Sequence, residues 1–406
     1  MDPVAQRIQD DLRGAISGEV FCDDVTRAMY STDASLFEVR PLGVVRPRTT
    51  EDVSAVVRYA CENGIGVHAR GAGTSLAGQS LGEGIVIDFS RFMRHILETR
   101  DEFVRVQPGV IDSHLEEHLG KIGRTLGPDP ATATVTTIGG MIGRNTSGSR
   151  FLRHGDMRSR LTSARVVLAD GTITEWGPTM PEVALESSET LVQPTNTTAK
   201  LAAALSVILS EEEQVLADVR SSESYSSGGY CLKNLQDENG IHMERLLCGS
   251  EGTLALVTEA TLLTSPMDRA TVVGLFLFES LDRAAAAVTE LVPLGVSACD
   301  LFDKRHLALA RGVDSTFDRL IDAHYEACLL VEFTGEDTRE CESLFAHAVE
   351  VVQGQGRLAI HHRRAETFAE KNLFWRLSRQ VTPTLHGVQT TSRAVPLVED
   401  SAIPPA

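Results

Sequence analysis

Apolar positions change their spacing repeatedly along the chain, and each change predicts an element. Val53, Val56, Val57 and Ala60 fall at i, i+3, i+4 and i+7, behind Thr49 and Asp52 spaced as a variant capping box. A helix is therefore predicted over 52–63, ended by Gly64, with a strand at 65–69. A glycine-dense loop (71–84) leads to an apolar strand at 85–89; 103–107 alternates as a strand and 111–120 reads as a helix. A second glycine-rich stretch, 127–148, reads as a long loop. Strands at 165–168 and 173–176 flank Asp170-Gly171, a hairpin signal, and one helix near 199–218 precedes a strand at 254–263. The first 40 or so residues read as a short amphipathic helix followed by irregular chain.

From 270 onward the style changes. Strand 271–278, helix 281–293 and strand 296–302 make one β-α-β unit, and 327–333, 337–352 and 356–361 make a second. Two such units in tandem predict a ferredoxin-like domain beginning near 268. The chain of 406 residues has room for two or three domains.

Charge and cysteine usage narrow the function. A net charge of −18 would repel a phosphate backbone, which argues against nucleic acid as a partner. No apolar run approaches the ~18–20 residues that span a bilayer, and the first residues lack a secretory pattern. The seven cysteines are scattered, never closer than thirteen residues, which argues for reduced thiols and against a local zinc or iron–sulfur site. The expectation is a cytoplasmic enzyme.

The glycine stretches carry the chemistry. In 68–79, HARGAGTSLAGQ, glycines at 71, 73 and 78 permit positive φ and close backbone approach, so successive amides can form a nest for a pyrophosphate. The stretch is no Rossmann fingerprint: Leu76 stands at the third glycine position and a strand follows. The segment 127–148, GPDPATATVTTIGGMIGRNTSG, holds five glycines and six Ser/Thr, with Val135, Ile138, Met141 and Ile142 needing burial. Small hydroxyl residues and bare backbone suit a large polar–aromatic ligand. A third piece, Gly249-Ser250-Glu251-Gly252-Thr253, stands just before a strand.

Together with YSTDAS at 30–35 and VVLADG at 166–171, these segments resemble, in order and spacing, the FAD-binding domain of the vanillyl-alcohol oxidase and p-cresol methylhydroxylase family. Within that family the pattern is similar to the D-lactate, glycolate and D-2-hydroxyglutarate dehydrogenase branch. The resemblance implies an α+β fold: an N-terminal lead-in (1–38), a two-subdomain FAD-binding domain (39–267) and an incomplete ferredoxin-like cap domain (268–406). It implies that Arg70, Gly71, Ala72, Gly73, Thr74, Ser75 and Leu76 cradle the FAD pyrophosphate, with Gly78 and Gln79 beside them. Pro128, Thr136, Thr137, Ile138, Gly139, Gly140, Gly143, Asn145 and Gly148 would line the cofactor, with Gly252 and Val257 at its adenine or ribityl end. Covalent relatives carry histidine where Thr74 stands, so the FAD is expected to be noncovalent. His154 stands where the family usually has tyrosine.

For a 2-hydroxy acid the resemblance implies hydride transfer to FAD and an arginine clamp on the carboxylate, since a guanidinium fork meets a carboxylate bidentately. The matching helix, 374–382, offers Arg379, with Thr382 a weaker companion and Arg393 a second candidate. No histidine has metal spacing within the chain; the branch's metal-binding histidine pair is expected beyond the segment matching VEDSAIPP, hence beyond Ala406. Expected partners are the small hydroxy acid and an electron acceptor (quinone, flavoprotein or iron–sulfur protein), with peripheral membrane contact and oligomerisation left open. An oxidase using oxygen, and an FAD-binding subunit inactive without a continuation or partner, stand as alternatives.

Overall fold

The computed structural model describes residues 3–180, 197–221 and 229–379. Its first lobe is a four-stranded sheet. Gly43–Arg46, Ile85–Asp88 and Val67–Arg70 run parallel, and Glu19–Phe21 adds an antiparallel edge. Parallel strands need a crossover connection, and helix Thr50–Glu62 supplies it from Gly43–Arg46 to Val67–Arg70, which flank Ile85–Asp88 on its two sides. Thr49 caps that helix by accepting from the Asp52 amide. The buried Asp52 carboxylate accepts from the amides of Arg48 and Ser17, so the cap also ties down the chain ahead of the sheet. Residues 3–29 are integral here rather than a loose lead-in: helix Pro3–Leu12 buries Ala5, Ile8 and Leu12 in the lobe's core.

The second lobe is an antiparallel sheet ordered Ile96–Thr99, Phe103–Val106, Leu256–Leu263, Leu161–Val167, Ile173–Trp176. Helices Asp112–Gly120, Ile138–Arg144 and Thr197–Glu211 contribute to its core. Val167 and Leu256 at the sheet's end turn into the first lobe's core and join the two.

The third lobe begins after Ser265–Pro266, which still pairs back to Arg124–Thr125. Its sheet runs Ala298–Asp303, Ala327–Gly335, Ala270–Phe278, His361–Arg364, antiparallel throughout, which is the ferredoxin-like order with all four strands present. The two central strands, ATVVGLFLF and ACLLVEFTG, read as almost continuous apolar runs because both faces are covered. Phe276, Phe278, Leu329 and Val331 face the layer of helices Leu281–Leu291 and Thr338–Val349. The alternate residues Val273, Leu275, Leu277 and Leu330 face a second layer that includes Lys304–Val313 and Phe368–Arg379. Phe374, Trp375 and Leu377 bury that last helix, which sets the position of Arg379 at its end.

Candidate functional site

Three loops meet where the first two lobes join. Loop 71–79 follows strand Val67–Arg70, and Arg70 bends back to donate to the carbonyls of Tyr30 (3.2 Å) and Thr32 (2.8 Å). The Gly73 carbonyl accepts from the Ala34 amide, so the YSTDAS segment is strapped onto the glycine loop. Gly73 sits at φ +68°, a left-handed position open to glycine at little cost. Among the described residues, the amides from Ala72 to Gly78 donate to no other protein atom. A Cβ on Gly71 would lie 2.1 Å from Thr137 Oγ1, so loops 71–79 and 127–148 touch directly. The third loop closes the group: the amides of Gly249 and Glu251 donate to the carbonyls of Ile142 and Gly143, and Gln79 Nε2 donates to Glu251 Oε1. Gln79 Oε1 is buried without a hydrogen-bond partner among the described residues.

Segment 127–148 differs from a plain loop. Thr137 N-caps a helix, Ile138–Arg144, whose Ile138, Met141 and Ile142 are buried. The Ile138 and Gly139 amides are spent on the carbonyls of Val110 and Pro108, and the Gly140 amide on Thr137 Oγ1. Gly139 packs on Pro108, and Gly148 packs on Asp129. The Asn145 side chain is committed inside the protein, to Asp156 Oδ2 and the Arg158 amide. Thr136 is buried against Thr132, Pro128 is buried beside Asp129, and Ile138 lies in the core. Val135, expected from the sequence to be buried, is instead 48% exposed; toward the other two loops the segment presents the bare surface of Gly140 and Gly143. A Cβ on Gly140 would meet only Thr137 Oγ1, at 3.3 Å; on Gly143 only Glu251 Cα, at 3.7 Å; and on Gly252 only Ala69, at 3.7 Å. Free amides in one loop, open glycine surface in the other two and an orphaned acceptor at Gln79 fit a dinucleotide carrying a flat ring. Thr74 and Leu76 flank this space half-buried, with Ser75 buried; Val257 lies half-buried in the strand that follows.

The third lobe meets this seam through a chain of charges. Asp129, next to Pro128, accepts from the Arg150 amide (3.0 Å) and from Arg150 Nη1 (3.1 Å). Arg150 forks onto Glu332, with Nε–Oε1 at 2.6 Å and Nη2–Oε2 at 3.0 Å. Glu332 has no exposed surface and also accepts from Trp375 Nε1. Arg379 donates from Nη2 to Asp129 Oδ2 at 3.2 Å and lies 5.0 Å from the Trp375 ring centroid. Burial alone would depress Arg150, but its bonds to Glu332 outweigh burial and raise its pKa. Burial pushes the Asp129 carboxyl up to about 6 against the pull of Arg150 and Arg379. Arg379, singled out from sequence, therefore stands where the third lobe meets the segment that begins at Gly127. Asp129, Arg150 and Glu332 were not singled out, although a lone glutamate in an apolar strand was a visible signal. Arg393 and Thr382 lie outside the described residues.

His154 packs beside Gly127, where a Cβ would meet its side chain at 2.7 Å. Burial, then the charge of Arg160, pushes its imidazole down to about 4. The native state thus resists protonation: stability is complete above about pH 6.5 and falls as pH drops toward 4. His154→Tyr should lose this acid-side decline. Urea unfolding at pH 7 and pH 5 should show a wild-type loss about 1–2 kcal/mol larger than the variant's; equal losses would place the titration elsewhere. Among the described residues, no three His, Cys, Asp or Glu side chains are grouped to hold a metal ion, and no helix is long and apolar enough to cross a membrane.

Comparison with known proteins agrees with this geometry. Residues 41–177 match the family profile described as an FAD binding domain, and residues 267–406 match that of the FAD linked oxidases, C-terminal domain. The chain is 27% identical to a D-2-hydroxyglutarate dehydrogenase of Pantoea ananatis over 96% of its own length and 39% of the relative's. It is 27% identical to a D-lactate dehydrogenase of Archaeoglobus fulgidus, covering 78% of this chain and 58% of that one. It spans about two fifths of the D-2-hydroxyglutarate dehydrogenases it matches. A solved alkyldihydroxyacetonephosphate synthase shares the fold, with TM-score 0.64 and 16% identity over 94% of this chain and 64% of that chain.

Proposed function

This chain belongs to the FAD-linked oxidase family, and on that premise we propose that it oxidises a D-2-hydroxy acid to the 2-oxo acid with noncovalent FAD. The observation that carries the reading is the position of Arg379. Its guanidinium is joined through Asp129 to the segment that runs into helix Ile138–Arg144, which supports reading it as the group that faces substrate beside the flavin. FAD bound there supplies the acceptor for the hydride leaving the carbinol carbon.

The chain's own residues bind and orient. The free amides of 72–78 face a diphosphate, and Gly140, Gly143 and Gly252 leave room for flat rings. The Arg379 fork holds the substrate carboxylate, which fixes the carbinol carbon relative to the ring. Thr74 offers no imidazole for a flavin linkage. The relatives' names support lactate- and hydroxyglutarate-type acids as the substrate class.

Purified protein should be yellow, and acid precipitation should release its flavin into the supernatant. Without oxygen, a D-2-hydroxy acid should bleach the oxidised-flavin band, and air should restore it only slowly if the natural acceptor is another carrier. Flavin retained in the pellet would overturn the noncovalent assignment. A spectrum unmoved by every D-2-hydroxy acid would overturn the reaction, and instant recovery in air would make the protein an oxidase.

A further inference from the structure

An arginine clamp works only if something sets the plane of its fork, and the charge chain at the seam does so for Arg379. Glu332, without exposed surface, holds both the Arg150 guanidinium and the Trp375 indole N–H. Arg150 in turn holds Asp129 through its backbone amide and its side chain. Asp129 and the Trp375 ring then restrain Arg379 from its end and from its face. The Glu332 side chain at the buried end has no exposure, Arg150 and Asp129 are 28% and 15% exposed, and Arg379 at the outer end is 41% exposed. Asp129 uses only Nη2, which leaves Nε and Nη1 without a partner among the described residues.

We propose that Asp129 is a positioning residue for the substrate carboxylate. Braced by Arg150 and Glu332, it turns the unused edge of the Arg379 guanidinium toward the ligand. This rests on the reading of Arg379 as the clamp, and it makes affinity for the hydroxy acid depend on a carboxylate that never touches it. Asp129→Asn keeps an acceptor for the Arg150 amide and removes the charge that orients Arg379.

The test is a double-mutant cycle on FAD-loaded protein: wild type, Asp129→Asn, Arg379→Lys and both together. The readout is equilibrium binding, by calorimetry, of 2-oxoglutarate and pyruvate, which oxidised FAD leaves unreacted, so turnover is not required; D-2-hydroxyglutarate and D-lactate are tested separately for flavin reduction. Asp129→Asn should weaken binding about tenfold when Arg379 is present and less than about twofold in the Arg379→Lys background. Flavin content and spectrum should stay at wild-type values. Arg150→Lys, which loses the fork onto Glu332, should repeat the pattern and serves if Asp129→Asn folds poorly. Equal losses in both backgrounds, or none in either, would overturn the proposal. Wild-type protein that binds the 2-oxo acids while neither hydroxy acid reduces its flavin would defeat the oxidation reading and leave the cycle decisive. No binding to wild type would overturn clamp and positioning together.

Discussion

Gly140→Val should give a folded protein that no longer holds FAD. Gly140 is exposed at the start of helix Ile138–Arg144, and an added Cβ meets protein only at Thr137 Oγ1, 3.3 Å away. The helix can accept valine there at a cost below about 1 kcal/mol, so the apo protein should unfold at nearly its usual temperature. On the proposed placement of the cofactor, the side chain would instead fill the space for the flavin ring. Overpacking a rigid site costs about 1–3 kcal/mol, hence up to a hundredfold or more in affinity. Not every glycine of the loops gives so clean a result. At Gly71 a Cβ would lie 2.1 Å from Thr137 Oγ1, and at Gly73 the backbone is at φ +68°, so valine there disturbs folding and binding together. Flavin stoichiometry measured beside apo-protein melting separates the two; wild-type stoichiometry in Gly140→Val would move the ring elsewhere.

Arg379→Lys should keep FAD and lose the hydroxy acid. A lysine ammonium can approach a carboxylate but cannot meet both oxygens with a planar fork, nor stack on Trp375 as the guanidinium does. Removing one partner of a hydrogen-bonded charge pair costs about 2–5 kcal/mol, so affinity should fall by more than tenfold. Titration of the flavin spectrum with D-2-hydroxy acid under anaerobic conditions reads that loss. An unimpaired variant would put the clamp on another cation, with Arg393 the next candidate from sequence.

Parts of this arrangement were legible before any coordinates. The Thr49–Asp52 spacing marked the first crossover helix within two residues, because capping and apolar periodicity are local signals. The ferredoxin-like lobe was legible for the same reason, with its central strands standing out as apolar runs. Its last strand was misplaced, at 356–361 instead of His361–Arg364, because Glu350–Gln355 continues the preceding helix as a π-helical turn. Helix Ile138–Arg144 was read as loop. Three glycines in TIGGMIG argue against a helix, yet Thr137 caps it and the core buries Ile138, Met141 and Ile142. The strand Glu19–Phe21 and the helix after it were missed within chain read as irregular. The charge chain was illegible for a different reason. Asp129 and Arg379 are 250 positions apart, and Arg150 and Glu332 are 182 apart. No local pattern brings such pairs together; only the packing of the third lobe onto the second does.

The central claim is that one seam holds FAD, clamps a D-2-hydroxy acid by its carboxylate and passes its C2 hydrogen to the flavin. A single anaerobic turnover with D-2-hydroxyglutarate or D-lactate, unlabelled and then deuterated at C2, tests it most directly. One 2-oxo acid should form per flavin reduced, with deuterium slowing the bleaching and the L-enantiomers leaving the flavin oxidised. Bleaching indifferent to deuterium and to the hand of the acid, or bleaching without a matching yield of 2-oxo acid, would contradict it.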